Sequence, residues 1–435
     1  VLARIELAGL SLDMDRLSWE ADPNQEASLA TKTAVLSERV VQALAKRGVT
    51  FAAEDLTNEA RLKKALFDDL KFPARARTKK TGAPKLDKTV LQKLLGRRPS
   101  ERDLLGNLLE WRKHNKLLTT YVHAFLEKQK DGVLHPSLFL GTRTWRRAGN
   151  NPNPQNLPVY AKQFVKSRFP DGRIGSHDYD QLEPRIFCWL AEEWDVLNRI
   201  LDGESIYQIL AKDVLFGHTV DKRQHPIEYR LVKAVWLGIS YRMQARKLMM
   251  TLQQLGIDVD EAEAAEYLAK IWRFMPKIRR YQDERRQEVL ETGQIVTPIG
   301  IVRHLPHDGP GSPGFEHVVN QAVNVSIQGS AGMIAGAGLL LVEELFLRVA
   351  GVSYVDHVRN LHGRGGEVVA YPVLCDEVHD EIVQDYPPDY LDLFEEAGKV
   401  LTEPMRLEEF REVWPWFDLP LAVKGTLTER WGEEA

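Results

Sequence analysis

The sequence predicts a fold of mixed α+β type. Three patterns carry this reading. Apolar residues recur at helical spacing over most of 195–290, and again over 27–48 and 316–349. Near 371–386, YPVLCDEVHDEIVQDY reads as two apolar strands flanking an acidic turn. Over 171–187 a turn and a short strand run into a helix.

The elements follow in order. Residues 1–18 suit a short strand and a turn. The segment ASLATKTAVLSERVVQALAKRG, 27–48, holds one apolar helical face and stops at Gly48. KFPARARTKKTGAPKLDKT, 71–89, is punctuated by Pro and Gly and forms a basic loop. Helical stretches follow near 89–96 and 101–130. GNNPNPQNLP, 149–158, is neither a helix nor a central strand, because Pro and Asn break both. TPIGIVRHLP, 297–306, reads as a hairpin edge, with a Gly/Pro loop after it at 308–314. No repeat of fixed period is visible.

At roughly 100–200 residues per domain, 435 residues make two to four structural units. A hydrophobic fraction of 43% and a charged fraction of 28% with mixed signs exclude global disorder. No apolar run reaches the roughly 18 residues of a membrane-spanning helix, so no membrane partner is expected. Cys188 and Cys375 are too few for a disulfide framework or a zinc site of cysteines alone, which suits a reducing compartment. The sequence opens on Val1 without a signal-peptide core, and reads as a fragment or a processed product.

Charge is unevenly spread. Residues 61–130 carry 19 Lys+Arg against 7 Asp+Glu, a net of +12, and 131–170 add +5. The stretch 171–435 sums to −17. A basic block beside an acidic one suits a protein that grips a polyanion with one part and holds cations with another. A solvated basic helix is the plainer account of the same charge.

Three segments have the residues for chemistry. In HDYDQLEPRIF, 177–187, Asp178 ends a strand while Glu183 and Arg185 sit where a helix starts. Pro184 fits that first turn, where its missing N–H costs nothing. A carboxylate at a strand end is a common metal ligand, although a solvated Asp accounts better for this segment taken alone. In EVHDEIV, 377–383, a turn presents Asp380 and Glu381, with Glu377 just upstream. Carboxylates this close repel unless a cation or a proton neutralises them. Two Asp from different segments could hold a Mg²⁺ pair roughly 3.5–4 Å apart; an acidic hairpin tip is the alternative. In YRLVKAVWLGISYRM, 229–243, a helix would align Lys233, Leu237 and Tyr241 on one face, with Arg230 beside Lys233. Basic residues at one end could hold triphosphate, and the apolar and aromatic ones could pack a base. An ordinary core stripe is again the alternative.

The order and spacing of these segments resemble the polymerase region of family A DNA polymerases, the bacterial DNA polymerase I type, with a phage source compatible. The family's first motif, of the form DYSQIELR, corresponds to DYDQLEPR at 178–185. Its second, RxxxKxxxFGxxYG, corresponds to YRLVKAVWLGISYR at 229–242, and its third, QVHDE, to EVHDE at 377–381. RTKKTG (77–82), WRKHNKLLTTYV (111–122), NPNPQNLP (151–158), NVSIQGSA (324–331) and the terminal LPLAVKGTLTERW are similar to further family segments.

The resemblance implies a right-hand polymerase with an antiparallel-sheet palm, a helical thumb and helical fingers. The palm would begin at 1–18 and continue at 131–194 and 326–435, the thumb would be 19–130, and the fingers 195–325. It implies that Asp178 and Asp380 carry two Mg²⁺ ions, with Glu381 an accessory carboxylate. Lys233, with Arg230, would bind triphosphate, and Leu237 and Tyr241 would line the insertion site. Glu183 would crowd the sugar 2′ position. Arg146, Asn153, Gln155, Asn156, Asn324 and Gln328 would contact primer or template. The loop residues Arg75, Arg77, Lys79 and Lys80 would hold duplex phosphates. The implied partners are primer-template DNA and deoxynucleoside triphosphates, bound by a monomer in the cytoplasm of a bacterial cell or a phage-infected host, with an organelle left open; a processivity factor is not legible in the sequence.

Several positions depart from the family pattern. Tyr229 replaces its first Arg, Leu237 an aromatic, Arg242 a Gly, Asp180 a Ser and Glu377 a Gln. Asp180 would share a strand face with Asp178. A single-subunit RNA polymerase shares the two-Asp plan, but Glu183 opposes it, since such an enzyme must admit the 2′-hydroxyl. An inactive DNA-binding relative would not need both Asp residues and Lys233.

Overall fold

The computed structural model describes residues 1–433 except 75, 79–80, 141, 143–145, 152, 313 and 363–368. The chain forms two compact units. One comprises Leu10–Leu134 and Leu157–Lys166; the other comprises Val1–Gly9, His135–Asn156 and Ser167–Ala435.

The first unit is helical. Helix α1, Leu29–Ala45, starts at Ser28, whose side chain accepts from the Thr31 amide. It buries Leu36, Val40, Ala43 and Leu44 at helical spacing, in one core with Leu104, Leu105, Leu108 and Trp111. A helix at Lys88–Arg97 begins at Asp87, which caps the Val90 amide. The long helical stretch expected at 101–130 is present, interrupted by π-turns at Arg102–Gly106 and Leu118–His123. Backbone bonds tie down the described residues of the basic loop. Arg77 bridges Pro84, the Thr78 amide donates to the Ala83 carbonyl, and Gly82 turns the chain with φ of 65°.

The second unit contains a four-stranded antiparallel sheet and its covering helices. Strands β1 (Arg173–Tyr179), β2 (Val373–Val378), β3 (Glu381–Tyr386) and β4 (Val423–Thr428) lie in the order β4-β1-β3-β2. Although at the sheet edge, β2 is buried along its whole length. The helix Leu2–Ala8 packs on it, so the edge is covered.

That helix corrects the expectation of a strand and a turn at 1–18. Only Leu10–Ser11 is extended; Leu2–Ala8 and Met14–Ala21 are helical. Ile5 and Ala8 face the core three residues apart, and Asp13 caps the second helix through the Arg16 amide. Both signals were present in the sequence but too short to establish a period.

Helix α2, Leu182–Leu190, follows β1 directly, and helices fill most of Trp194–Thr292, as the periodicity requires. Among them α3, Pro226–Ser240, starts on Pro226, whose missing N–H is spare there. The hairpin expected at 297–306 begins three residues earlier, pairing Gln294–Val296 with Val302–His304. Among its described residues, the segment 149–158 carries only the end of a two-stranded sheet, Ala148–Asn150, and one 3₁₀ turn, Pro154–Asn156.

Helix α4, Phe315–Ala350, buries most of its length, from Val319 and Val323 through Ile334 and Leu339 to Phe346. At Gly338 it passes so close to the sheet that a Cβ would lie 2.5 Å from the Tyr179 hydroxyl. Among the described residues no helix is long and apolar enough to cross a membrane.

Candidate active site

Antiparallel pairing assembles the carboxylates. Asp178, exposed on β1, lies directly opposite Glu381 on β3 and opposite Lys424 on β4. Directly paired residues share a sheet face. Asp380 precedes β3 in the tight turn, and its carbonyl accepts from the Tyr179 amide at 3.3 Å. The turn is sharp because His379 takes the left-handed conformation, φ 59°, unusual for a residue with a Cβ. The Glu381 carboxylate is held by donors from Ser176 Oγ at 2.5 Å and Trp431 Nε1 at 2.6 Å.

A second layer secures the turn. Gln155 donates from Nε2 to the Glu377 carbonyl and accepts at Oε1 from the His379 amide, at 3.0 Å for the latter. Arg147 clasps both carboxylate oxygens of Glu377, and donates to the Gly332 carbonyl at 3.2 Å. The side chains of this pair are 9% and 3% exposed. Burial pushes the Arg147 guanidinium down to about 10, which leaves it a cation at neutral pH. Glu377 thus replaces the family's Gln in company with a buried positive partner.

Arg146 pairs with Glu183 and approaches Asp380 Oδ1 at 3.8 Å. Burial raises the Glu183 and Asp380 carboxyls above their usual range, and Arg146 opposes the rise in both. Asp180, just past the end of β1, is paired with Lys424 and Arg185. Burial works upward on it, but Lys424 and Arg185 outweigh that and hold it low and ionised. Arg185 donates to the Asp180 carbonyl at 2.8 Å and to its Oδ2 at 3.3 Å.

Glu183 stands in the first turn of α2, after Gln181 has turned the chain with φ 53°. The Gln181 side chain fixes that turn by accepting from the Ile206 amide at 2.7 Å and donating to the Glu204 carbonyl at 3.0 Å. Glu183, Leu237, Tyr241, Asn324 and Gln328 line one small cavity, with Trp236 among its apolar walls. On α3, Lys233 and Leu237 are exposed one turn apart, and Tyr241 closes the helix end. The Tyr241 hydroxyl accepts from Gln328 Nε2 at 3.0 Å.

The departures acquire local reasons. Arg242 occupies the left-handed conformation, φ 48°, that favours glycine, and its guanidinium donates to the Gln282 carbonyl at 2.8 Å. Tyr229 packs edge-on against Tyr207, with centroids 5.7 Å apart. Arg230 is exposed on the same helix, with its Nε donating to the Pro226 carbonyl at 3.0 Å.

Not every expected residue meets this group. Asn153 caps the Gln155 amide at 3.0 Å, and neighbouring Asn156 lies in the same 3₁₀ turn. Arg77 belongs to the helical unit, where it donates to the Gly82 carbonyl at 2.9 Å. Arg75, Lys79 and Lys80 lie outside the described residues. The sequence patterns do not mark Arg147 or Ser176, whereas Lys424 and Trp431 both lie inside the terminal LPLAVKGTLTERW.

The chain belongs to DNA polymerase family A, whose model matches residues 24–433. Members of this family are generally metal-dependent. Over its full length the chain is 26% identical to DNA polymerase I of Helicobacter pylori, covering 43% of that protein. It is 27% identical to the thermostable DNA polymerase I of Thermus thermophilus, covering 99% of this chain and 47% of that one. To the DNA polymerase of Bacillus phage SP01 it is 28% identical, over 81% of this chain and 37% of the other. The chain therefore spans less than half the length of these relatives. The POL domain of Pol1 from M. smegmatis, solved in complex with DNA primer-template and dNTP, shares its fold with a TM-score of 0.77 at 22% identity, over 99% of this chain and 69% of that one.

Proposed function

We propose that the chain is a template-directed DNA polymerase that adds deoxynucleotides to a primer 3′-hydroxyl. What supports it is that Asp178 on β1 pairs with Glu381 on β3, that Asp380 in the turn before β3 bonds the Tyr179 amide, and that Arg146 links Asp380 to Glu183 of the cavity lined also by Leu237 and Tyr241.

The donor set fits magnesium. Asp178 and Asp380 offer hard oxygen ligands, and the held Glu381 adds negative charge opposite Asp178. Asp178 and Asp380 would hold two Mg²⁺ ions, which when bound lower the pKa of the attacking hydroxyl and stabilise charge in the in-line transfer. The protein's part is positioning. Lys233, exposed on α3, binds the triphosphate as a point charge. Arg146 holds Glu183 against the cavity, where that carboxylate occupies the space a 2′-hydroxyl would need. Asn324 and Gln328 present amides suited to the nearly sequence-independent minor groove. The segment 19–130, with its basic block, serves as the thumb on duplex phosphates, 195–325 as the fingers, and the sheet segments as the palm.

Primer extension with deoxynucleotides and ribonucleotides tests this. Wild-type protein should extend with the former and strongly prefer them. Asp178→Ala or Asp380→Ala should reduce extension below a few per cent while duplex binding persists, and Glu183→Ala should raise relative ribonucleotide use. Extension retained in either Asp variant would remove that residue from the pair. A wild-type preference for ribonucleotides would favour an RNA polymerase.

A further inference from the structure

The loop leading into α3 carries a cluster that the polymerase chemistry does not use. His218 Nε2 lies 3.0 Å from Glu228 Oε2, and the His225 ring centroid is 5.6 Å from that of His218. One ligand atom from each of these three residues lies within 4.8 Å of the others.

The hydrogen bonds around His218 bear on what sits between them. Its Nδ1 is 3.3 Å from the Phe216 carbonyl. Carbonyl and carboxylate both only accept, so each ring nitrogen of His218 faces an acceptor. A neutral imidazole has one N–H for these two contacts, and a cation held between Nε2 and Glu228 satisfies the other. An imidazole that gives its other N–H to a backbone carbonyl is also the arrangement that orients metal-ligating histidines. His225 Nδ1 meets the Asp221 amide at 3.3 Å, a long bond that ligation through this nitrogen would replace. Asp221 itself is committed to the loop, accepting from the Arg223 and Gln224 amides at 2.7 and 2.9 Å.

We propose that His218, His225 and Glu228 form a site for a divalent transition metal of the zinc class, distinct from the carboxylates of Asp178 and Asp380. Two imidazoles and one carboxylate are a donor set for Zn²⁺, whereas Mg²⁺ prefers oxygen alone. Three protein ligands leave a fourth position for water. His225 immediately precedes α3 and Glu228 stands in its first turn, while His218 comes from the loop before it. A bound metal therefore pins that loop to the start of the helix carrying Lys233. Glu228 also supplies the negative charge that a helix N-terminus favours.

The test uses the full chain, stripped with a chelator and kept in excess Mg²⁺ to fill the hard carboxylate sites. On titration with Co²⁺, one equivalent should bind with visible d–d absorption that Zn²⁺ then displaces, and Zn²⁺ alone should raise Tm. His218→Asn and His225→Asn, which approximate the side-chain size, should each weaken Zn²⁺ binding at least about tenfold. The double variant should show neither absorption nor Tm shift, and Glu228→Gln should be intermediate. Circular dichroism and duplex binding should match wild type in all of them. Absence of Co²⁺ absorption in wild-type protein overturns the proposal, and so does its persistence in the double variant at wild-type affinity. The readout is metal uptake, so it stands apart from whether the chain extends primers.

Discussion

Gln155 has both ends of its amide engaged by the backbone on either side of Val378, at Glu377 and at His379. Family resemblance implies a DNA contact, but the geometry gives it the turn that carries Asp380. Gln155→Ala should therefore lower kcat by about ten- to a hundredfold, the scale of a misplaced reacting group, with primer-template Kd changed less than about threefold. Single-turnover extension and a binding titration separate the two. Weakened binding at unchanged kcat would place the side chain on DNA instead. Glu377 poses a different question. Glu377→Leu strands the Arg147 charge in the interior and should cost about 3–5 kcal/mol. Arg147→Met combined with Glu377→Leu should recover most of that loss in urea denaturation, because replacing a whole buried pair by apolar groups is often near neutral. Neither interaction could be read from the sequence. Gln155 and Glu377 are 222 residues apart, and Arg147 and Glu377 are 230 apart. No local period connects them.

At the scale of elements, what the sequence disclosed follows from period. Helix α1, the strand-to-helix run through Asp178 and Asp380's hairpin are long enough to display their patterns. The helices Leu2–Ala8 and Met14–Ala21 are seven and eight residues long, and their burial depends on partners remote in sequence. Helix α3 shows both sides of this. Its exposed face was legible as Lys233 and Leu237, but the side-chain partner of Tyr241, Gln328, lies on α4. Leu237 is 38% exposed and lines the cavity with Glu183. A flat ring there would stack on a base, a contact worth about 1–3 kcal/mol in single-strand binders. Leu237→Phe and Leu237→Tyr should realise part of it, lowering KM for the correct nucleotide about three- to tenfold in steady-state kinetics. No change in either variant would mean that this face of α3 does not meet the nucleotide.

For the molecule as a whole, charge and topology divide along the same line. The +12 block at 61–130 belongs entirely to the helical unit, while the sheet carries the carboxylates. If the block holds duplex phosphates, log K should fall linearly with log salt, by about 0.9 per phosphate contact. Neutralising Arg77 and Lys85 together should flatten that slope by about 1–2, and an unaltered slope would take this loop off the DNA. The order of the sheet, β4-β1-β3-β2, also governs how the protein is made. The helical unit is nearly continuous in sequence, so its partners emerge from the ribosome close together. Strand β1 has no such neighbours: β3 follows it by about 200 residues and β4 later still. While synthesis proceeds, β1 waits with both edges unpaired, the state in which strands recruit one another between chains. The pairing that sets Asp178 opposite Glu381 thus waits for about 200 further residues, and a nascent chain stalled before β3 would hold a formed helical unit and a β1 without that partner.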